Sequence, residues 1–359
     1  MPWPRRPTAR RPRPRSRPSS TVMTTEDQLR RPLRSLRLSV TDRCNLRCAY
    51  CMPEEEYAWL PSPDVLSFEE IDALVDRFIA LGVRKVRLTG GEPLVRRDLP
   101  VLVALLAKKG LEELALTTNG VLLRQQADAL ARAGLQRVTI SLDTLSREKF
   151  QRLTRRDQLP AVLDGIAAAR EAGFRGLKLD TVLMRGVNDD ELEPLLEFAS
   201  AHDAELRFIE YMDVGGATRW SMEKVVPARE LLARLGPVEP LPGRGSAPAE
   251  RYRRTKSGQT FGVIASTTQP FCRACDRARL TADGHWFTCL YATKGVDLKA
   301  ALRGGANATE LEALIRSTWE RRNDRGAEER LALREQRGPL ASPDELKKTP
   351  HLEMHTRGG

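Results

Sequence analysis

Apolar positions between about residues 36 and 210 alternate between two patterns. Short runs of apolar and β-branched residues are separated by longer stretches in which apolar residues recur every three or four positions. One such stretch begins with a capping box at Ser67 and Glu70 and ends at Gly82. The pattern predicts six strands separated by helices, with the strands at residues 36–40, 84–88, 113–117, 137–142, 177–183 and 205–212.

Strands that alternate with helices pair in parallel through right-handed crossovers. The six units therefore predict an α/β fold, namely a partial (β/α)6 barrel of the TIM type over residues 31–214. Beyond residue 215 the alternation stops, and residues 237–258 are rich in Pro, Gly, Arg and Ser. We expect residues 215–340 to form a C-terminal layer over the open side of the barrel, including one amphipathic helix at about 309–337.

The charge of the chain is concentrated at its start. The formal net charge is +11, but residues 1–20 hold seven arginines and no acid, which leaves +4 for the rest. Six prolines in this stretch argue against a packed core and against the amphipathic helix of a transit peptide. We expect residues 1–30 to be a disordered extension, with Met23 as an alternative start, and residues 341–359 to be a flexible tail.

Localisation and broad binding class follow from the same composition. Apolar runs in the sequence stay well short of the roughly 20 residues of a membrane span. Outside the first 20 residues, the small excess of positive charge does not predict a nucleic-acid surface. We expect a cytoplasmic protein that binds neither membrane nor nucleic acid.

Six cysteines fall into two triads, and none is left over. The first triad is C-x3-C-x2-C, and the second is C-x2-C-x13-C. Three thiolates leave one position of a four-iron cluster open, where a small molecule can bind. The sequence therefore predicts an iron–sulfur cluster at each triad, on Cys44, Cys48 and Cys51 and on Cys272, Cys275 and Cys289.

Two other interpretations of the cysteines remain. Three disulfides are disfavoured, because the chain shows no signal-peptide core and a reducing cytosol keeps thiols free. Zinc is an alternative at the second triad, since His285 lies between Cys275 and Cys289 and would complete a Cys3His set.

Polar segments follow the predicted strand ends, where barrel enzymes assemble their chemistry. TGGEP follows the second strand, TTNG the third and SLD the fourth, and the first cysteine triad follows the first strand. The spacing C-x3-C-x2-C with Tyr50 before its last cysteine is typical of radical S-adenosylmethionine enzymes. TGGEP at the next strand end makes that interpretation specific, since glycines there permit a close backbone approach to the cofactor.

From about Arg31 to Arg330 the chain resembles the GTP 3′,8-cyclase family of molybdenum cofactor biosynthesis. The resemblance lies in RLSVTDRCNLRCAYCMP, RLTGGEPLVRRDL, LTTNG, VTISLD, RFIEYMDVG and FCRACDRARLTADGHWFTCLYAT, and the family also ends in the pair matched by Gly358 and Gly359. It implies two [4Fe–4S] clusters and S-adenosylmethionine as cofactors. The first cluster would generate a 5′-deoxyadenosyl radical that takes the hydrogen from C3′ of GTP, and C3′ would then attack C8 of guanine.

The resemblance also implies roles for individual residues. The first triad would bind the S-adenosylmethionine cluster, and the open iron at the second triad would bind the guanine. S-adenosylmethionine contacts would come from Tyr50, Gly91, Ser141 and Met212. GTP contacts would come from Arg37, Arg87, Thr117, Lys178, Arg277, Ala278 and Arg279.

The positions of the arginines agree with a triphosphate ligand. Arg37 and Arg87 would point into the barrel, where an unpaired cation costs several kcal/mol and a bound polyanion would offset that cost. Ion pairing with acidic side chains is the alternative. Arg277 and Arg279 alternate along a predicted strand and would face the same side. Asp180 next to Lys178 would oppose phosphate binding, and Lys85 and Arg207 are weaker candidates, because surface salt bridges explain them equally well.

Partners and rival functions complete the expectations. The resemblance implies an electron donor such as flavodoxin or ferredoxin, a downstream cyclic pyranopterin monophosphate synthase, and a monomer or homodimer. One rival is a radical enzyme that modifies a peptide or RNA, although no aromatic platform for bases is evident. The other is a non-catalytic electron-transfer or zinc protein, which leaves TGGEP beside an open iron unexplained.

Overall fold

A computed structural model describes residues 24–243 and 245–358, and its strands form a single sheet. The strands are β1 (Ser35–Ser39), β2 (Lys85–Thr89), β3 (Glu113–Thr118), β4 (Arg137–Ser141), β5 (Leu177–Leu183), β6 (Ala204–Glu210), β7 (Val238–Leu241), β8 (Glu250–Arg254), β9 (Thr260–Ile264), β10 (Arg277–Leu280), β11 (His285–Phe287) and β12 (Val296–Asp297). The α-helices are α1 (Phe68–Ala80), α2 (Leu99–Ala107), α3 (Leu123–Arg132), α4 (Arg147–Thr154), α5 (Leu159–Glu171), α6 (Leu192–Ala201), α7 (Ala228–Leu235), α8 (Leu298–Arg303), α9 (Ala308–Glu320), α10 (Gly326–Ala332), α11 (Pro343–Lys348) and α12 (Met354–Arg357).

The six predicted strands are confirmed as β1 to β6, each within two residues of the predicted ends. They pair in parallel and in sequence order. The barrel is partial, because β1 pairs on its other side with β10 and β6 pairs with β9, both in parallel. Antiparallel strands extend the two ends, β11 and β12 beyond β10, and β8 and β7 beyond β9.

Alternation along the strands separates the core from the barrel interior. In β1, Leu36 and Leu38 are fully buried in the hydrophobic core, and Arg37 between them lines an internal cavity. Helix α1 covers the outer face with Ile71, Leu74, Val75 and Phe78. The predicted capping box is present, with the Ser67 hydroxyl accepting from the Glu70 amide at 3.1 Å and the Glu70 carboxylate accepting from the Ser67 amide at 2.7 Å.

The prediction of a single helix over 309–337 is wrong, because α9 ends at Glu320 and a separate helix, α10, begins at Gly326. The capped end of α9 at Arg321 is followed by Asp324, whose carboxylate accepts from Thr288 and whose carbonyl accepts from Arg31 at 2.8 Å. These contacts with distant segments override a continuous helical pattern. No helix in the described ranges is long and apolar enough to cross a membrane.

Residues 24–30 were predicted to be disordered, and this is wrong. The Thr25 amide donates to Leu81, and the Asp27 carboxylate forms a buried ion pair with Arg31 at 2.5 Å. Asp27 and Arg31 are both nearly inaccessible, so the segment belongs to the folded body. Residues 1–23 of the predicted extension lie outside the described residues.

The C-terminal segment was predicted to be a flexible tail, and this is also wrong. It contains α11 and α12, and residues 355–358 are buried. The Arg357 guanidinium lies 4.0 Å from the Phe287 ring centroid and donates to the Leu290 carbonyl at 2.7 Å. Polar and cation–π contacts hold this segment, so its low hydrophobicity did not reveal it. Gly359 lies outside the described residues.

Candidate active site

Both cysteine triads line one cavity of about 810 Å³ inside the partial barrel. Side chains of all eight parallel strands reach this cavity, from Arg279 on β10 to Ile264 on β9. The loop after β1 supplies the first triad, and the covering layer supplies the second. The fold therefore brings together two cysteine groups that lie more than 200 residues apart in sequence.

The first triad sits in a loop whose backbone is tied to the barrel. Val40 donates to Thr89 on β2, and the amides of Arg47 and Ala49 donate to carbonyls at the end of α4. The Met52 amide donates to the Cys48 carbonyl at 2.7 Å, which closes a turn between the second and third cysteines. Main-chain hydrogen bonds thus hold the loop at the barrel rim, and the Cys44 sulfur itself accepts from the Leu46 amide at 3.5 Å.

The thiols of the first triad are protonated unless a metal binds them. Burial raises the pKa of Cys48 well above its usual range and that of Cys44 to about 11. Free thiols would therefore stay protonated at neutral pH. Coordination to a cationic metal centre deprotonates a thiol outright, so bound irons would supply the charge that this site lacks.

Two cysteines of the second triad lie in a short turn before β10, and the third, Cys289, lies two residues after β11. Burial alone would raise the pKa of Cys275, but the guanidinium groups of Arg277 and Arg322 lower it to about 7. Arg277 donates to the Cys275 sulfur at 3.6 Å. A Cβ at Gly326 would lie 3.1 Å from the Cys289 sulfur, so α10 packs closely against this site.

The zinc alternative for the second triad is not supported. In the described part of the chain, one group of three potential ligands has all its ligand atoms within 4.8 Å, and it is Asp283, His285 and His351. Three thiolates on one zinc ion would lie about 3.8 Å apart, given Zn–S bonds near 2.3 Å. Neither cysteine triad meets the 4.8 Å spacing, and His285 lies with Asp283 and His351 instead of completing the second triad.

The four residues predicted to contact S-adenosylmethionine all line the cavity. Tyr50 donates its hydroxyl to the Asp143 carboxylate at 2.6 Å. Ser141 ends β4, and Met212 follows β6, so they enter the cavity from opposite sides of β5. The strand ends thus bring together Tyr50, Gly91, Ser141 and Met212.

The glycines of TGGEP accommodate the cysteine loop. A Cβ on Gly91 would lie 2.4 Å from the Arg43 carbonyl oxygen, and one on Gly90 would lie 2.5 Å from the Thr41 carbonyl oxygen. The Gly91 amide donates to Thr41 at 2.9 Å. These glycines were expected to permit the approach of a cofactor, and the cysteine loop itself lies in direct contact with them.

A row of arginines crosses three neighbouring strands. The register places Arg279 of β10 beside Arg37 of β1, and Arg37 beside Arg87 of β2. Burial, followed by the charges of Arg279, Arg277 and Arg87, lowers the pKa of Arg37 well below its usual range. Such a row is unfavourable by itself, because buried like charges repel and lose hydration.

The cations of the cavity differ in their partners. Arg87 donates to Glu113 at 3.1 Å and to Thr117 at 3.3 Å. Among the described residues, the Arg37 guanidinium and the Lys178 ammonium have no ion pair or side-chain hydrogen bond. Burial and the charges of Arg207 and Arg137 lower the pKa of Lys178 to about 8. Two cations without an ion pair or side-chain hydrogen bond to a described residue therefore line the cavity that both triads also line.

Three expectations about charged neighbours need revision or refinement. Arg207 was a weaker candidate, because a surface salt bridge would explain it equally well; it forms a salt bridge with Asp180 at 2.6 Å, but a buried one. This ion pair also neutralises Asp180, which was expected to oppose phosphate at Lys178. Ala278 is fully buried in the hydrophobic core, on the face of β10 away from the cavity, whereas Arg277 and Arg279 line the cavity as predicted.

Sequence reasoning assigned no role to two buried acids inside motifs that it quoted. Glu92 of TGGEP accepts from Thr118 at 2.7 Å and from the Asn119 amide at 2.7 Å, and burial raises its pKa to about 7. Asp143 of SLD accepts from Tyr50 and from the Val182 amide at 2.8 Å, and burial raises its pKa to about 6. Their acidic character within a strand-end motif was the available signal.

Asp213 was also missed, and its neighbours gave no local signal. It is fully buried and receives hydrogen bonds from Arg330, Arg337 and Tyr291 at 2.7–3.0 Å. All three partners belong to the C-terminal region. Asp213 therefore ties the end of β6 to the covering layer.

The end of the chain reaches the same site. Gly358 has φ of +70°, and a Cβ there would meet the Thr89 hydroxyl at 1.8 Å. Arg279 donates to the Arg357 carbonyl at 3.1 Å and also to the Gly358 carbonyl. The space at Gly358 thus admits only glycine without rearrangement. Its predicted partner in the pair, Gly359, lies outside the described residues.

Known proteins match this chain in both the partial barrel and the covering layer. A model described as the Radical SAM superfamily matches residues 38–199, and one described as Molybdenum Cofactor Synthesis C matches residues 204–328. GTP 3′,8-cyclase 1 of Mycobacterium tuberculosis strain H37Rv is 54% identical over 343 residues, which cover 93% of this chain and 95% of the relative. GTP 3′,8-cyclase of Acidothermus cellulolyticus is 51% identical over 316 residues, which cover 84% of this chain and 87% of the relative.

A solved structure shares the fold at low sequence identity. Streptococcus suis SuiB bound to S-adenosylmethionine superposes with a TM-score of 0.57 and 16% identity, covering 80% of this chain and 69% of SuiB. At this identity the likeness supports the fold alone.

Gly91→Ala tests the packing of TGGEP on the cysteine loop. We expect the variant to lose iron from the first triad, because the added methyl would force the Arg43 carbonyl, 2.4 Å away, and its loop to move. Overpacking of this kind costs about 1–3 kcal/mol. Iron content after anaerobic reconstitution is the measurement, and Gly338→Ala is the control, because nothing lies within 4 Å of a Cβ there. Full iron content in both variants would contradict the conclusion that Gly91 must pack against the cysteine loop for the first triad to hold iron.

Proposed function

Because the chain belongs to the GTP 3′,8-cyclase family of radical S-adenosylmethionine enzymes, we propose that it catalyses the first step of molybdenum cofactor biosynthesis. The reaction converts GTP to (8S)-3′,8-cyclo-7,8-dihydroguanosine 5′-triphosphate. The family uses S-adenosylmethionine and two [4Fe–4S] clusters. The observation that carries the proposal is the uncompensated positive charge of Arg37 and Lys178 in a cavity lined by both cysteine triads.

The cluster ligands follow from the two triads. Cys44, Cys48 and Cys51 would hold the first cluster, and Cys272, Cys275 and Cys289 the second. A cluster held there together with S-adenosylmethionine would supply the radical chemistry that acts on C3′ of the ribose. The chain contributes Tyr50, Gly91, Ser141 and Met212 as contacts to S-adenosylmethionine.

Asp143 positions Tyr50, one of the proposed S-adenosylmethionine contacts, through a hydrogen bond to its hydroxyl. Its carboxylate accepts the Tyr50 hydroxyl at 2.6 Å and the Val182 amide at 2.8 Å. The ring of Tyr50 is thereby fixed between the first triad and the end of β4. Asp143 acts as a positioning residue in this proposal.

The GTP contacts would divide by chemistry. Arg37, Lys178, Arg277 and Arg279 offer donors to the triphosphate, with Arg87 and Thr117 already joined by a hydrogen bond at 3.3 Å. Ala278 would contribute through its backbone only, since its side chain lies in the core. The second triad would hold the cluster that takes up the guanine, and the side chains around the triphosphate would then orient C3′ toward the first triad.

Partners of the reaction belong to the same proposal. An electron donor such as flavodoxin or ferredoxin would reduce the first cluster, and a cyclic pyranopterin monophosphate synthase would take the product. We propose a cytoplasmic monomer or homodimer.

Anaerobic reconstitution with iron, sulfide, GTP and S-adenosylmethionine tests the function directly. We expect about eight irons per chain, 5′-deoxyadenosine formation that depends on GTP, and the cyclised triphosphate in equal amount. Product identity by mass spectrometry is the decisive readout. Formation of 5′-deoxyadenosine without any GTP-derived product would favour a different substrate, such as a peptide.

Arg37→Gln separates ligand binding from folding. Loss of charge-assisted hydrogen bonds worth about 1.5–3 kcal/mol predicts GTP binding weaker by about 10- to 150-fold. The same substitution removes an uncompensated buried cation, so we expect the GTP-free protein to have an unchanged or higher Tm. Calorimetry and thermal unfolding measure the two effects on cluster-loaded protein.

The matched control for that variant is Arg34→Gln. Arg34 is half exposed and pairs with Glu112 at 2.9 Å outside the cavity, and it should leave GTP affinity unchanged. Equal GTP affinity in Arg37→Gln and the unsubstituted protein would show that Arg37 does not bind the phosphates.

The affinity for GTP should decrease as pH rises through about 8, the pKa of Lys178 in the ligand-free site. Phosphate favours the ammonium form, so the contribution of Lys178 is complete below that pH. Above it, up to 10-fold is lost per pH unit. Lys178→Arg should flatten the profile between pH 7 and 9, because arginine stays charged. An identical fall in this variant would place the titration elsewhere.

A further inference from the structure

Three potential metal ligands from two distant segments meet outside the active-site cavity. Asp283 lies in the turn between β10 and β11, and His285 begins β11. His351 comes from the short turn Pro350–Leu352 in the C-terminal segment. Their ligand atoms all lie within 4.8 Å of one another.

The spacing of these atoms is that of ligands around one ion. The Nδ1 atoms of both imidazoles lie 3.4 Å from the same carboxylate oxygen, Oδ2 of Asp283. That separation is longer than the usual 2.7–3.2 Å of an N–H···O hydrogen bond. Tetrahedral zinc with bonds of 2.0–2.1 Å places neighbouring nitrogen and oxygen ligands about 3.4 Å apart. The His285 Nδ1 atom is buried and makes no hydrogen bond with the described residues.

The carboxylate is oriented by its surroundings. Asp283 is 5% exposed, and its other oxygen, Oδ1, accepts the Thr281 hydroxyl at 2.6 Å. Thr281 is itself held by the His285 amide, which donates to its hydroxyl at 2.8 Å. Outer hydrogen bonds of this kind fix the ligands of metal sites. Oδ2 therefore remains directed at the two histidines.

The two imidazoles leave space for a further ligand. Their ring centroids lie 4.1 Å apart, and both side chains are more than 20% exposed, so solvent can reach the group. Asp297 lies 4.0 Å from Nε2 of His285, which is beyond hydrogen-bond distance.

We propose that Asp283, His285 and His351 form a second kind of metal site, which binds a divalent transition ion of the zinc class. Two imidazoles, one carboxylate and an open position suit Zn²⁺. The ion would join the β10–β11 turn to the C-terminal segment.

The location of this site gives the ion a structural consequence. His351 lies seven residues before Gly358, whose backbone contacts Arg279 of β10. Asp283 follows the same strand. An ion shared by Asp283 and His351 would link the segments that carry Arg279 and Gly358. It would thereby hold the C-terminal segment against the active-site cavity.

Zinc titration of the cluster-loaded holoenzyme tests the proposal, since bound iron occupies the cysteines. We expect one Zn²⁺ per chain, and zinc-edge X-ray absorption should show only nitrogen and oxygen neighbours at 2.0–2.1 Å. His285→Ala and His351→Ala should each weaken binding by more than the 10- to 100-fold typical of an outer-sphere loss. His202→Ala is the matched control, because His202 stacks on Phe198 away from the site.

A second readout follows the C-terminal segment itself. Zn²⁺ should slow amide hydrogen exchange of residues 343–358 in the unsubstituted protein and in His202→Ala, but not in His351→Ala. Iron content and Tm of each variant establish that it is folded. Absence of zinc binding, sulfur neighbours at 2.3 Å, or undiminished binding in His351→Ala would each overturn the proposal.

Discussion

The parallel pairing of β1 with β10 is the constraint on which the active-site cavity depends. It sets Arg37 beside Arg279 in one register, and the pairing of β1 with β2 adds Arg87 to the row. The same pairing brings the second cysteine triad, which precedes and follows the β10–β11 hairpin, to the barrel that carries the first. A row of buried arginines stores unfavourable energy in the ligand-free protein, and a polyanion is the natural partner that would relieve it.

The rest of the cavity is electrostatically ordered around that row. Arg87 and Arg207 form ion pairs with acidic side chains, so they line the cavity without needing a bound anion to balance their charge. Arg37 and Lys178 have none among the described residues, so they define where negative charge is needed. The distribution explains how a chain with a modest net charge outside its first 20 residues can still build a strongly positive site.

Much of this fold was predictable from sequence, because local periodicity determines the βα units. The six strands and the capping box at Ser67 depend on residues close in sequence, and all were predicted. The break before α10, the order of residues 24–30 and the packing of the C-terminal segment depend on partners far away. Two such contacts join Arg31 to Asp324 and Arg357 to Phe287. No pattern in the neighbouring sequence predicts either contact.

The candidate site divides in the same way. Cysteine spacing predicted the two cluster sites, and the family resemblance assigned the arginines of β1, β2 and β10 to GTP. The strand register then explained why these residues converge. Asp143, Glu92 and Asp213 were missed because their roles depend on hydrogen bonds to residues that are distant in sequence. The cluster of His285 and His351 was missed for the same reason, since sequence placed His285 nearer to the cysteines than to residue 351.

The affinity of cluster-loaded protein for GTP, GMP and guanosine, measured by anaerobic calorimetry, tests the central claim that the arginine row recognises a polyanion. The account predicts that affinity falls steeply as phosphates are removed and that increasing salt weakens GTP binding far more than guanosine binding. Equal affinity for GTP and guanosine, insensitive to salt, would contradict it.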